Sequence, residues 1–326
     1  MRMSALLFAF LGMLYGESFA APAKAASKQL DIAKIKHYQI ALESSLYGVY
    51  REGPIVMSFP GENAFYIRSV YKPDAKEQDL GFGSLHNPYD GSERIFFEPK
   101  DKMRRVRSVL HVGVHWAFLD VMSRQLLVYD ETLKSWQMPA DIILDTPKPA
   151  SDSRGEPTRA ETTALRSRLT KTLLKEKGNP DLIAGMTALP KKWKDRDGSQ
   201  YVLWLRAGTS PLLTVKCDEE HFKYCQVQRA CFVKGVSLSE TEAVNSISID
   251  PKSQNLLLLM RDKSKIVELN GSSCHALTAR DAYSLPKSLE NAQGLFVDAT
   301  NNFWLSLREI EGATSASIFT WDSGTW

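Results

Sequence analysis

The chain has 326 residues, of which 43% are hydrophobic and 24% charged, and its formal net charge is +3. Such a length can bury a sizeable core, as one large repeat domain or as two ordinary ones. A charge balance this even excludes a protein that holds nucleic acid by bulk electrostatics.

At the N-terminus, Arg2 is followed by the apolar run SALLFAFLGMLY and then by GESFAAPAKA, with small residues at Ser18 and Ala20. The pattern predicts a signal peptide over residues 1–20, cut after Ala20. An uncleaved anchor is the alternative, against which the run is shorter than the ~20 apolar residues that a span needs. No later stretch is long and apolar enough to cross a bilayer. The expected mature chain, residues 21–326, is periplasmic or secreted, with no transmembrane span.

Strand signals begin at HYQIAL and continue through Tyr47 to Tyr71, extended by SERIFFEP. The next segment, Val106 to Met138, holds the two histidines of HVGVHW. Valines alternating around Gly113 predict one continuous strand, on which His111 and His115 share a face but stand about 13 Å apart, too far to grip one ion. With Gly113 and Ala117 they form a small polar face opposite Val112, Val114, Trp116 and Phe118. That composition suits a strand lining a channel, with His111 and His115 either contacting a ligand or satisfied as structural side chains.

The segment Asp145 to Pro157 is rich in turn formers, and Thr158 to Lys177 then reads as an inserted helix. Thr158 and Glu161 form a capping box, Leu165, Leu169 and Leu173 make one apolar face, and Gly178-Asn179-Pro180 ends it. Its other face carries Arg159, Arg166, Arg168, Lys171, Lys175 and Lys177. Two roles fit that face: docking on an acidic partner or anionic lipid, or plain solvation over the outside of a sheet.

All four cysteines fall between Ile183 and Leu285. An even set in an exported chain is compatible with two disulfides, and no Cys-x-x-Cys pair favours the rival reading as a zinc site. If CQVQRAC is extended, Cys225 and Cys231 are about 20 Å apart, beyond the ~7 Å between Cα atoms that a disulfide spans. The expected bridges are therefore Cys217 to Cys225, across a hairpin whose loop is DEEHFKY, and Cys231 to Cys274, between the last strands of two neighbouring repeats.

One unit recurs. In VHWAFLDVMSRQLLVYDE and SISIDPKSQNLLLLM an apolar run ends at Asp120 or Asp250, and six positions later Leu126 or Leu256 opens a second run; GLFVDATNNFWLSL repeats it one residue shorter from Asp298 to Phe303. Each copy reads as a β-hairpin, with turn formers between apolar strands, and each is followed by a further strand signal. Several strands per repeat at a few tens of residues is what a β-propeller needs, because each blade hides its faces only against its neighbours. Hairpins of a β-sandwich give the same local pattern. The fold class expected is all-β, a β-propeller of five blades, or six if the first segment splits, with one inserted helix at 158–177. It would form a single domain, closed by pairing of the strand around HYQIAL with the last blade.

Residues 243 to 307 resemble the NHL, regucalcin and gluconolactonase group of propellers, whose blades carry a GLAVD, short turn, LWV pattern, here QGLFVDATNNFWLSL. Arg51 to Val70, REGPIVMSFPGENAFYIRSV, is similar to the opening strand of the gluconolactonase branch. What the resemblance implies is a divalent cation such as calcium at the channel mouth, polarising a lactone carbonyl for attack by water. Carried onto this chain, Glu52 matches the glutamate of EGP and Asn245 an asparagine ligand. The expected aspartate of the PDG tripeptide is replaced by Gln293 in AQG, and a neutral amide is the weaker ligand for a divalent ion.

No G-x-S-x-G elbow, P-loop or H-E-x-x-H occurs, and DRDGSQ at Asp195 to Gln200 lacks the later glutamate of an EF-hand. Two functions remain. The first is an exported non-enzymatic propeller that binds a protein, a glycan or a cell-envelope component through its loops or channel mouth. The second is a metal-dependent hydrolase of lactones or related esters.

Overall fold

The computed structural model describes residues 27–31, 34–40, 46–52, 55–60, 67–70, 106–143, 148–149 and, apart from short gaps, 182–325. The expected signal peptide at 1–20, the strand signal SERIFFEP and the helix expected at 158–177 lie outside the described residues. Among the described residues the chain is nearly all β, with one short α-helix, Leu238–Glu242, started by a capping box between Ser237 and Glu240, and no helix long and apolar enough to cross a membrane.

Apart from a few two-residue strands, the described strands fall into five antiparallel meanders. The first contains Leu46–Glu52, Ile55–Pro60 and Ile67–Val70; the second Val106–Val112, His115–Asp120, Gln125–Asp130 and Ala140–Ile143. The third contains Ile183–Ala188, Tyr201–Leu205, Leu212–Cys217 and Tyr224–Ala230; the fourth Val244–Ile249, Leu256–Met260, Lys265–Asn270 and Leu277–Ser284. The fifth contains Ala292–Val297, Asn302–Leu307 and Ala316–Asp322, and its outer strand is Lys36–Ile40 from the other end of the sequence, antiparallel to Ala316–Asp322. Ala140–Ile143 also pairs in parallel with Tyr224–Ala230, so the second and third meanders join at their outer edges.

The first strand of each meander packs against the first strands of two others, in the cycle one, two, three, four, five and back to one. Sheets stacked this way bury both faces, which explains runs with no polar alternation. In NLLLLM, Leu256, Leu258 and Met260 face the third meander, whereas Leu257 and Leu259 face the fifth. One strand thus serves two cores.

The recurring aspartates cap hairpin turns. Asp250 accepts from Lys252 N at 2.9 Å and Ser253 Oγ at 2.6 Å, and Asp120 accepts from Met122 N and Ser123 Oγ, each at 3.0 Å. Each turn then passes through a left-handed residue, Arg124, Gln254 or Asn301. The three copies do not occupy equivalent places, however. Asp250 and Asp298 follow the first strand of their meander, and Asp120 follows the second. The reason is Gly113, which has φ +60° and makes a two-residue turn with Val114, splitting the expected continuous strand into Val106–Val112 and His115–Asp120.

Both disulfides have the pairing read from the sequence. Cys217 stands directly opposite Cys225 across the hairpin, and Cys231 joins Cys274, linking the third and fourth meanders. Neither Cys231 nor Cys274 lies within a last strand as expected: Cys231 directly follows Tyr224–Ala230, and Cys274 sits in the turn before Leu277–Ser284.

Candidate functional site at the ends of the first strands

Tyr50, Arg51 and Glu52 end the first strand of the first meander, and alternation sends their charged side chains to opposite neighbours. Arg51 turns to the fifth meander, where it donates to the Asp298 carboxylate and to Thr300 Oγ1 at 3.2 Å, its guanidinium 5.3 Å from the centre of the Trp304 ring. Glu52 turns to the second meander, where its Oε2 lies 2.7 Å from His111 Nδ1 and accepts from the Tyr50 hydroxyl at 2.9 Å. A carboxylate only accepts, so Nδ1 of His111 carries the proton.

The His111 ring stacks on Trp116 at 4.0 Å, and the Trp116 indole N–H donates to Glu131 Oε1 at 2.5 Å. The other nitrogen of His111, Nε2, is buried and 4.0 Å from Glu131 Oε2. Tyr50 meets Trp116 edge-on and leans on Phe296, ring centres 5.8 and 4.6 Å apart. The result is a pair of carboxylates held by aromatic donors at one end of the ring of first strands. Glu52 keeps 46% of its side chain exposed and Glu131 34%, against 20% for His111.

The electrostatics follow from these contacts. The hydrogen bond from His111 holds Glu52 below the usual carboxylate range, against an opposing effect of burial and with help from Tyr50. Burial disfavours the charged imidazole, but the hydrogen bond and charge of Glu52, with the charge of Glu131, outweigh it and raise His111 above the ordinary histidine value. Burial and then Glu52 push the Tyr50 hydroxyl far up, so it stays protonated and donates. Burial opposes ionisation of Asp298, but the donors Thr300, Trp304, Asn302 and Arg51 together lower it.

The residues expected from the sequence are distributed differently. His115 is on the strand after His111, paired with Val112, so the two histidines face different neighbours and not one channel face. Nε2 of His115 is 3.3 Å from Asp130 Oδ2, and its ring is 5.7 Å from Phe222 of the third meander. Asn245 is buried near the start of its strand, where Oδ1 accepts from Arg206 Nη2 at 3.0 Å and Nδ2 donates to Ala292 O at 2.9 Å. Adjacent first strands run parallel, with Arg51 beside Asp298 and Ser248 Oγ accepting from Val297 N at 3.1 Å. Asn245 therefore lies about five residues, roughly 16 Å, from the level of Glu52.

Gln293 is buried at the Asn245 end as well. Glu52 and Asn245 do not converge, and both amide atoms of Asn245 are committed to protein. The donor set does not fit the divalent ion of the gluconolactonase pattern, and no chemical step through an ion follows. Among the described residues no group of three or more His, Cys, Asp or Glu side chains is disposed as metal ligands.

Tyr50, Trp116 and Glu131 were not singled out as site residues from the sequence. Their only local signal is an aromatic residue near a carboxylate on a strand, which is too common to find them.

No family model matches the chain, and no curated protein matches it. Among solved structures, Myxococcus xanthus glutaminyl cyclase is 10% identical with a TM-score of 0.49, over 90% of this chain and 97% of that one. A luciferin-regenerating enzyme is 9% identical with a TM-score of 0.43, over 88% and 95% of the two chains. A chain of a nidogen/laminin complex is 8% identical with a TM-score of 0.40, over 81% and 72%. Likeness at this level assigns no activity to the chain.

Proposed function

We propose that the chain is an exported, non-enzymatic β-propeller of five blades, a single domain over residues 21–326. It binds a protein or glycan component of the cell envelope at the mouth where Glu52 and Glu131 stand. The five-blade reading is supported by the closed cycle of first strands. Export is supported by the N-terminal pattern and the two disulfides.

The observation that carries the binding reading is Glu52: a half-exposed carboxylate fixed from behind by His111 and Tyr50. Its rotamer freedom is already spent before a ligand arrives, so less entropy is lost on binding. Glu131, held by Trp116, offers a second acceptor beside it. Hydroxyl, amide or ammonium groups of an envelope component are the donors that two such acceptors take.

The test is co-sedimentation of the purified protein with isolated cell envelopes. Wild type and the control Lys287→Ala should pellet, and the double variant Glu52→Gln, Glu131→Gln should remain in the supernatant. Equal pelleting of the double variant and wild type would remove the mouth from the binding surface.

A further inference from the structure

The sequence has one asparagine followed by any residue but proline and then by serine or threonine: Asn270-Gly271-Ser272. That tripeptide is the acceptor for N-linked oligosaccharide in exported proteins. Its other eight asparagines lack it. Sequons are common enough by chance that the fold must decide whether one is usable.

Asn270 is the last residue of Lys265–Asn270, the third strand of the fourth meander, at the end where the chain leaves the sheet into bends at Ser272 and Ser273. Leu269 and Glu268 before it are buried, at 1% and 5% exposure, but Asn270 stands at the strand end and its side chain is exposed. Across the ladder it pairs with Thr278, which is also exposed. A glycan there displaces no core side chain.

The residue two positions before Asn270 is Glu268. In the folded chain Glu268 is buried and its carboxylate is held by Arg280 at 2.5 Å and by Asn255. Glu268 and its partners thus anchor the strand behind the exposed acceptor.

We propose that Asn270 is an N-glycosylation site. The transfer forms a bond from Asn270 Nδ2 to the anomeric carbon of a polyprenyl-diphosphate-linked oligosaccharide. The bond from that carbon to the diphosphate oxygen breaks, the diphosphate leaves with its electron pair, and the amide proton passes to a base of the transferase. The site matters only for an exported chain, so the proposal rests on the export reading.

The experiment exports the full chain, under its own leader and under a replacement leader, in a eukaryotic secretory host and in a bacterial periplasm that contains an oligosaccharyltransferase. The Asn270 peptide is read by mass spectrometry, with enzymatic release of glycan in heavy-oxygen water to separate it from spontaneous deamidation. Expected is a glycan on Asn270 in at least one host, lost in Asn270→Gln and in Ser272→Ala. An exported chain whose Asn270 is bare in both hosts overturns the proposal. Export under the replacement leader alone would instead count against the leader, leaving the site result intact.

Discussion

The seam between the fourth and fifth meanders and the seam between the fifth and the first are built from different materials. The former is mainly hydrocarbon, Leu257, Leu259 and Ile266 against Leu295, Val297 and Phe303, with neutral hydrogen bonds between the first strands, from Asn245 Nδ2 to Ala292 O and from Val297 N to Ser248 Oγ. The latter, among the described residues, is anchored by the Arg51 to Asp298 ion pair, the Arg51 guanidinium over Trp304, and Tyr50 against Phe296. Apolar contact is non-directional, and the fourth and fifth meanders are held near each other by the short connection from Ser284 to Ala292 anyway. Arg51 and Asp298 are 247 positions apart, so the seam that closes the ring must find its register without a connecting loop. A directional pair does that. The outer strand Lys36–Ile40, hydrogen-bonded along Ala316–Asp322, fastens the same closure from outside.

The largest expected effect lies at an apolar seam. Leu258 is fully buried between the third and fourth meanders, and Leu258→Ala should cost about 2–5 kcal/mol from lost transfer energy and the cavity left behind. Nothing in that loss titrates. Denaturant unfolding at neutral and at mildly acid pH should give the same gap from wild type; a gap that shrinks with acid would show that the apolar seams also depend on charge.

A smaller and pH-dependent effect is expected for Arg51→Met. Breaking a buried pair often costs 3–5 kcal/mol, but Asp298 keeps Thr300, Asn302 and Trp304 as donors, so roughly 1–3 kcal/mol is expected. Asp298 is lowered in the folded state. Its contribution is therefore fully present above the ordinary carboxylate value and is lost as pH falls through the lower, folded value. Wild type and Arg51→Met should converge on acidification below about pH 4. An undiminished gap there would mean that Arg51 acts by packing on Trp304 rather than by pairing with Asp298.

The contrast also bears on what the sequence discloses. Apolar seams are legible, because both faces of a strand are buried and the run loses its polar alternation, as in NLLLLM. Cysteine spacing gave both bridges, because the reach of an extended strand rules out Cys225 with Cys231 and because Cys217 and Cys225 bracket a hairpin loop. The closing seam was legible in part: the strand around HYQIAL could be matched to the last repeat, but nothing local marks Arg51 as the partner of Asp298. The cluster of Glu52, His111 and Glu131 is hidden for the same reason. Contacts made across three strand ends depend on how the sheets stack, and a period of two within each strand carries no record of it.

The smallest effect expected tests the turn that misled the reading of HVGVHW. Gly113 has φ +60° and an added Cβ would meet nothing within 4 Å, so a substitution there is penalised by backbone conformation alone. Gly113→Ala should cost about 1–2 kcal/mol, and Gly113→Asn less, since asparagine visits the left-handed region more readily. This distinguishes a cost paid within one meander from a cost paid at a seam: both variants should keep the Arg51 pH profile of wild type while shifting the unfolding midpoint. An alanine variant as stable as wild type would mean that residues 111–115 run as one strand after all, with His111 and His115 on a shared face.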